Sequence, residues 1–165
     1  MHVPFCTSPC FYCGCNRVIT RDRSRSEPYR TRLGREIGMM AGLFDPDREV
    51  VQLHFGGGTP NFFTPAQLLA TMQDLRDHFR FSENSRRDIS IELDPRHVTP
   101  DDIAGLAQAG FNRASLGVQD FDHDVQVAVN RGDQRARARR LLGLDAVQHL
   151  ARAAGEGRPL ADQVV

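Results

Sequence analysis

The sequence predicts an α/β fold with a parallel sheet, and two features point to this class. Short apolar runs alternate with helical patterns in the order strand, helix, strand, helix, strand, helix, strand. Such chains fold through crossover units that set neighbouring strands parallel. In addition, cysteines, glycines and polar residues directly follow the strand-like runs. Barrels and doubly wound sheets place their chemistry at the carboxyl ends of their strands, so both features indicate one architecture.

The first half of the chain contains two strand patterns and two helix patterns. Met1 to Phe5 is expected to hold the end of a strand, and Val50 to Phe55 is the second strand. Residues 26–44 carry apolar side chains at helical spacing, with Ser26 as the expected N-cap. From Thr64 the chain has the T-x-x-Q pattern of a capping box with proline at the first helical position, which predicts the second helix.

The second half continues the same alternation. Asp88 to Leu93 alternates like a strand, and Arg113 to Val118 is the fourth strand candidate. Between them a helix is expected to begin after Thr99 and to end at Gly110.

Composition excludes several functional classes. A chain of 165 residues can bury one sizeable core and is most simply one domain. Its 21 cations balance 21 anions, so nothing suggests a nucleic-acid or membrane-surface partner. No apolar run approaches a membrane-spanning length. Clustered thiols without a recognisable export signal predict a cytoplasmic protein.

The four cysteines lie within ten residues, and the first three form a C-x3-C-x2-C triplet of Cys6, Cys10 and Cys13. A cubane iron-sulfur cluster held by three cysteines keeps one iron open, and an open iron can bind a substrate. The triplet therefore predicts a metallocluster enzyme. Structural zinc is the stronger alternative, although zinc sites usually present two separated pairs of ligands. A disulfide framework and buried unligated thiols are the remaining alternatives.

Further candidate residues follow the later strands. The run Gly-Gly-Gly-Thr-Pro at residues 56–60 follows the second strand, Glu92 lies at the end of the third, and Gln119 and Asp120 follow the fourth. Each has a structural explanation when taken singly, since a glycine triplet is usually a permissive turn and a polar strand end is usually solvated. Their common placement at carboxyl ends favours one functional face shared with the cysteines.

Six sequence strings carry a resemblance to a known family. They are HVPFC (2–6), CFYCGCN (10–16), LHFGGGTP (53–60), ISIELDPR (89–96), GFNRASLGVQDF (110–121) and VNR (129–131). The triplet with an aromatic residue before its last cysteine resembles radical S-adenosylmethionine (SAM) enzymes. Together the strings resemble the oxygen-independent coproporphyrinogen III oxidases of haem biosynthesis, from residue 2 to about residue 131.

The resemblance implies a partial (β/α) radical SAM barrel with about four of six parallel strands. It implies that Cys6, Cys10 and Cys13 ligate a 4Fe-4S cluster whose open iron is chelated by SAM. Members of the family bind two SAM molecules. Matching positions assign these to the following residues: Tyr12, Gly57 and Glu92 for the first, and Gly58, Thr59, Gln119 and Arg131 for the second. No catalytic side chain is assigned.

The implied reaction is the radical oxidative decarboxylation of coproporphyrinogen III to protoporphyrinogen IX, with an electron donor such as flavodoxin or ferredoxin. Haem-chaperone-like proteins of the same superfamily are the alternative, because they share the cysteine triplet and GGGTP. Those proteins usually have C-D-F after the last ligand, whereas Cys13-Gly14-Cys15-Asn16 is the oxidase form. Cys15 therefore discriminates between the two, and both a direct role and a small buried side chain beside the cluster remain open for it.

Two departures from the family pattern predict that the chain is a truncated fragment. An upstream tyrosine and a fifth-strand aspartate of the family have no counterpart, and residues 132–165 do not resemble it. We therefore expect a partial radical SAM core at residues 1–131 and a non-matching tail at 132–165, out of frame or prematurely ended. Activity is expected to be impaired, and an inactive cluster-binding fragment is the second interpretation.

Overall fold

The structure is a computed structural model and describes residues 1–120, 122–132, 137–138 and 141. Six strands and four helices follow one another along these residues. In chain order they are β1 (His2–Val3), β2 (Phe5–Cys6), β3 (Val18–Ile19), α1 (Ser26–Ala41), β4 (Gln52–Gly57), α2 (Pro65–His78), β5 (Asp88–Leu93), α3 (Pro100–Ala109), β6 (Arg113–Leu116) and α4 (His123–Ala128).

Four of the strands form one parallel sheet in the order β1-β4-β5-β6. In its register Val3 pairs with Gly57, Phe55 with Ile91, and Leu93 with Leu116, at the end of the sheet where these strands finish. The short strands β2 and β3 form a separate parallel pair. The predicted α/β class and its parallel sheet are confirmed, and the arrangement is that of a partial barrel.

The core lies between one face of the sheet and the three crossover helices. Alternate strand residues such as Phe55, Ile89 and Ile91 are buried, together with Leu68 and Met72 of α2. Helix α1 packs on α2, and α2 packs on α3. The opposite face of the sheet is polar, so the period-two pattern directs apolar side chains to the helices and polar ones to the inside of the partial barrel.

Local signals at the helix ends are largely confirmed. Thr64 and Gln67 make both hydrogen bonds of a capping box at the start of α2. Thr99 accepts a hydrogen bond from the Asp102 N–H at the start of α3. Gly110 ends α3 with a φ of +100°, a left-handed conformation that favours glycine. No helix within the described ranges is long and apolar enough to cross a bilayer.

Several predicted boundaries are wrong. Ser26 is not an N-cap, because a 3₁₀ turn capped by Asp22 precedes α1 and the Ser26 hydroxyl donates instead to the Arg23 carbonyl at 2.7 Å. Strand β1 ends before Pro4, which has no N–H to donate to the sheet. Strand β4 begins and ends two residues later than predicted. Helix α4 was not predicted, since it spans only six residues.

The tail predicted from residue 132 is described at few positions. Residues 137, 138 and 141 are helical, and Ala138 and Leu141 are buried. Ala138 belongs to the main apolar core. The spacing of Leu141, Leu144 and Val147 favours one side of a helix, but Leu144 and Val147 lie outside the described residues, as does Phe121.

Candidate cofactor site

A cavity of about 310 Å³ opens at the carboxyl ends of the sheet strands. Its walls come from the loop after β2, the turn after β4, the ends of β5 and β6, and the segment after α4. All seven residues that the resemblance assigned to SAM line this cavity: Tyr12, Gly57, Gly58, Thr59, Glu92, Gln119 and Arg131. The structure thus brings them together from five separate segments, while their individual roles remain predictions.

The cysteine loop, defined here as residues 6–15, borders this cavity. All four cysteines are free thiols, so no disulfide framework forms. Cys6 and Cys10 are buried, Cys13 is partly exposed and Cys15 is exposed. Cys13 and Cys15 line the cavity, so the triplet runs from the interior to the cavity wall.

Each sulfur of the predicted triplet has its own hydrogen-bond donor. The Thr59 hydroxyl donates to the Cys6 sulfur at 3.4 Å. The Arg131 Nε–H donates to the Cys10 sulfur at 2.8 Å. The backbone N–H of Cys15 lies 3.4 Å from the Cys13 sulfur. Such donors stabilise thiolates, which are the form that binds metals.

The donor set fits an iron-sulfur cluster better than a single ion. Among the described residues no three His, Cys, Asp or Glu side chains are grouped as ligands of one metal ion. In a cubane cluster each cysteine binds a different iron, so the sulfurs surround the cluster rather than meet at one point. The cysteine loop borders the cavity through Cys13, and each of the three sulfurs has its own hydrogen-bond donor, which is consistent with this requirement.

The surroundings of the cysteines shift the pKa values of their thiols in different directions. Burial raises the pKa of the Cys6 thiol, and the hydrogen bond from Thr59 offsets only part of this effect. Burial also acts to raise the pKa of Cys13, but hydrogen bonds from Cys15 and the charge of Arg17 outweigh it and lower the pKa overall. The pKa of Cys15 is raised, first by its hydrogen bond to Cys13 and then by burial. In the metal-free protein Cys13 is therefore favoured over Cys15 as the thiolate.

The glycine turn after β4 is fixed by contacts with the first residues of the chain. Gly57 has a φ of +118°, and a Cβ there would lie 2.5 Å from the His2 Nδ1 atom. A Cβ on Gly58 would lie 2.7 Å from the Pro4 backbone. The glycines are therefore required for packing, and they also let the backbone border the cavity closely.

Glu92 lies on the polar inner face of the sheet and is held by a neighbour that the sequence did not assign. Its Oε1 atom is 3.2 Å from His54 Nε2, and His54 Nδ1 is 2.9 Å from the Ser90 hydroxyl. The His54 and Glu92 side chains are about half exposed. Alternation along β4 and β5 places all three residues on one face, and that spacing is the signal that identifies His54.

Asp94 is the main site residue that sequence reasoning missed. It is buried at the cavity wall, and its Oδ2 atom lies 2.6 Å from Arg96 and 3.2 Å from Arg131. Burial acts to raise the pKa of its carboxyl group, but the hydrogen bonds and charges of Arg96, together with the charge of Arg131, lower it overall. The available signal is an acidic residue directly after a strand, the same signal that Asp120 gives after the fourth predicted strand.

Gln119 enters the cavity from a strained backbone position. Its φ is +70°, in the left-handed region that non-glycine residues rarely occupy. Such strain costs on the order of 1 kcal/mol and persists where surrounding structure enforces it, often at ligand sites. This backbone strain is consistent with a Gln119 side chain that the surrounding structure holds at the cavity.

Comparison with known proteins gives consistent results. The oxygen-independent coproporphyrinogen III oxidase of Pseudomonas aeruginosa is 50% identical over 131 residues, which are 79% of this chain and 28% of that protein. The proteins of the same name from Escherichia coli and Synechocystis are 46% and 45% identical, with the same coverage. The chain thus spans about 28% of the length of these curated relatives.

A solved structure leads to the same group of proteins. Coproporphyrinogen III oxidase from Escherichia coli, described as a radical SAM enzyme, superposes with a TM-score of 0.80 and 42% identity. The superposition covers 93% of this chain and 33% of that one. The model of the radical SAM superfamily matches residues 1–144. With three cysteines beside a cavity at the carboxyl ends of a parallel sheet, the chain belongs to the radical SAM superfamily.

Proposed function

We propose that the chain binds a 4Fe-4S cluster through Cys6, Cys10 and Cys13 and binds SAM in the adjoining cavity, as the cofactor-binding part of an oxygen-independent coproporphyrinogen III oxidase. The observation that carries the proposal is the convergence of all seven sequence-assigned SAM positions on one cavity beside the cysteine loop. A sequence identity of 50% over 131 residues to a protein of that name supports the choice of reaction.

The side chains around the cavity suit the groups that SAM presents. The Glu92 carboxylate can accept hydrogen bonds from an ammonium or ribose group, and the Gly57 and Gly58 backbone can approach the ligand closely. Arg131 can pair with a carboxylate, since its guanidinium has donors in addition to those used within the protein. When bound, the cluster supplies the electron that cleaves SAM and so generates a radical. Burial of Cys6 and Cys10 keeps water away from that side of the site.

The names of the relatives support a choice of substrate. We propose coproporphyrinogen III, two of whose propionate side chains would each lose a hydrogen atom to the radical derived from SAM. Each would then lose carbon dioxide and pass one electron to an acceptor, which gives the two vinyl groups of protoporphyrinogen IX. An electron donor such as flavodoxin or ferredoxin is proposed for the cluster, and the cytoplasm is the proposed location. The inactive cluster-binding fragment remains the second candidate, because the chain spans about 28% of the length of the curated relatives that it matches.

Anaerobic reconstitution tests the proposal. The chain should take up iron and sulfide and show an oxygen-sensitive 4Fe-4S spectrum that is lost in Cys6→Ala, Cys10→Ala and Cys13→Ala. Cys15→Ala is the matched control from the same loop and should keep the cluster. Stoichiometric zinc without iron would overturn the proposal. After reduction, methionine and 5′-deoxyadenosine from added SAM distinguish a working site from an inactive one.

A further inference from the structure

A buried ionic cluster lies behind the cysteine loop. It consists of Asp94 with Arg96 and Arg131, and the carboxylate is 4% exposed. Arg96 binds both oxygens of Asp94 through Nε, at 3.0 and 3.1 Å, and one of them again through its terminal nitrogen. The Asp94 backbone is fixed as well, because its N–H donates to the Asn61 side chain at 3.0 Å. Asp94 is thus held rigidly at the end of β5.

Arg131 links this cluster to a cysteine sulfur. Its NH1 group donates to Asp94 Oδ2 at 3.2 Å, and its Nε–H donates to the Cys10 sulfur at 2.8 Å. The Arg131 side chain is only 11% exposed. Because a guanidinium is planar and rigid, fixing one of its nitrogens on a carboxylate also fixes the direction of the others. Asp94 therefore determines where the Arg131 Nε–H points.

The backbone around Arg131 is tied to the same loop. The Asn130 side chain donates to the Pro9 carbonyl at 2.6 Å, and the Phe11 N–H donates to the Val129 carbonyl at 3.4 Å. Asn130 has a φ of +60°, and the turn leads directly into Arg131. Contacts on both the side-chain and the backbone side thus hold Arg131 against Cys10.

We propose that Asp94 is a positioning residue that holds Arg131 against the Cys10 sulfur, and that this N–H donor sets the reduction potential of the cluster that Cys10 binds. The second half of this inference, the effect on the reduction potential, rests on the proposed function. Hydrogen bonds to ligand sulfurs and nearby charge are established determinants of cluster potential. A cationic N–H donor withdraws electron density from the thiolate and stabilises the reduced cluster. Arg131 therefore makes the potential less negative.

A redox titration of the reconstituted full chain tests this, in the absence of SAM so that any SAM contact of Arg131 plays no part. In Arg131→Gln the ratio of reduced to oxidised cluster at a fixed potential should fall about tenfold, which is a shift of about 59 mV for a one-electron couple. Arg131→Lys keeps the positive charge but lacks the planar guanidinium, so the reduction potential of its cluster should shift in the same direction. An unchanged potential in both variants would overturn the proposal.

The Asp94→Asn variant distinguishes the positioning role from a simple charge effect by the direction in which the reduction potential of the cluster shifts. Removal of a negative charge alone makes the potential less negative, whereas release of Arg131 from Cys10 makes it more negative. We expect the second result, and we expect the double variant with Arg131→Gln to match Arg131→Gln alone. A less negative potential, or additive shifts, would refute the positioning role. Asp88→Asn is the control, because it breaks another Asp–Arg pair about 20 Å away at the other end of β5.

A second readout needs no cluster. In the metal-free full chain labelled with nitrogen-15, the Arg131 Nε–H should exchange slowly with solvent because it is buried and bonded. Asp94→Asn should accelerate this exchange and Asp88→Asn should not. Fast exchange in the unaltered chain would overturn the positioning claim. If the native chain forms no 4Fe-4S cluster but Arg131 is protected through Asp94, the proposed function fails and the positioning of Arg131 stands.

Discussion

At the residue scale, Asp94 contributes to stability as well as to the cavity wall. Its carboxylate compensates one buried arginine, Arg131, and one partly buried arginine, Arg96, so Asp94→Asn leaves both without this anionic partner. Breaking a buried pair in this way costs about 3 kcal/mol. Urea unfolding at neutral pH should therefore show a free energy of unfolding lower by about that amount. Asp88→Asn, whose pair with Arg113 is more exposed, should cost about 1 kcal/mol or less.

The stabilisation by Asp94 should depend on pH. The folded-state pKa of this carboxyl group is lowered from 3.8, so the unfolded chain binds the proton more readily. The contribution is therefore fully present above the unfolded value and is lost as pH falls through the lower, folded value. The difference in unfolding free energy between the native chain and Asp94→Asn should be constant near pH 6 and shrink below about pH 3.8. A difference that grows on acidification would contradict this prediction.

Glu92 gives a prediction about ligand binding. Replacing its carboxylate by the amide in Glu92→Gln removes a charged acceptor worth about 1.5 kcal/mol, so SAM binding to the cluster-loaded chain should weaken roughly tenfold. His54→Asn should have a smaller effect, because it removes only the partner that orients Glu92. Glu83→Gln, an exposed change in the loop before β5, is the control for equilibrium dialysis. Unaltered SAM affinity in Glu92→Gln would remove Glu92 from the proposed site.

At the scale of single elements, two glycines end helices in different conformations. Gly110 follows α3 with a φ of +100°, and a Cβ there would collide with the Arg76 guanidinium. Gly42 follows α1 with a φ of −65°, and its nearest contact would be an ordinary 3.7 Å. Gly110→Ala should therefore destabilise the chain by about 1 kcal/mol or more, whereas Gly42→Ala should be neutral or slightly stabilising. Thermal unfolding of the two variants compares these helix ends directly, and equal losses would show that backbone conformation does not decide the outcome.

The elements differ in how far the sequence predicts them. Strand β5 and the starts of α2 and α3 are predicted correctly because alternation, capping residues and proline are local signals. The predicted N-cap at Ser26 is wrong because Asp22, four residues earlier, caps a 3₁₀ turn that leads directly into α1. The seven cavity residues follow from strand ends and a family pattern. Asp94 and His54 also lie at positions that local signals mark, directly after β5 and on the polar face of β4. Those signals do not show their roles, which depend on contacts with residues distant in sequence.

At the scale of the whole molecule, the predicted boundary after residue 131 remains a prediction. The curated relatives align over about 131 residues, whereas the superfamily model matches to residue 144. Ala138 and Leu141 are buried, and the Arg137 side chain donates to the Arg96 carbonyl at 2.9 Å. Ala138 of the predicted tail therefore packs on the core, and Arg137 contacts Arg96 of the Asp94 cluster. Leu141→Ala should accordingly lower the free energy of unfolding by about 2 kcal/mol or more; an unchanged value would mean that this packing adds nothing to stability.

The outer edge of the sheet gives the last prediction. Strand β6 pairs with β5 on one side, and within the described residues no other strand pairs with its second side. An open edge of a parallel sheet presents free backbone donors and acceptors and adjoining apolar side chains, which promote pairing with a second chain. Sedimentation velocity should therefore show oligomers that increase with protein concentration. Leu43→Lys, which removes an apolar side chain that is 77% exposed at the end of α1, controls for association through that separate surface and should leave the oligomers in place. A monomer at every concentration with one cooperative unfolding transition would contradict the open edge and imply that residues after 132 cover it.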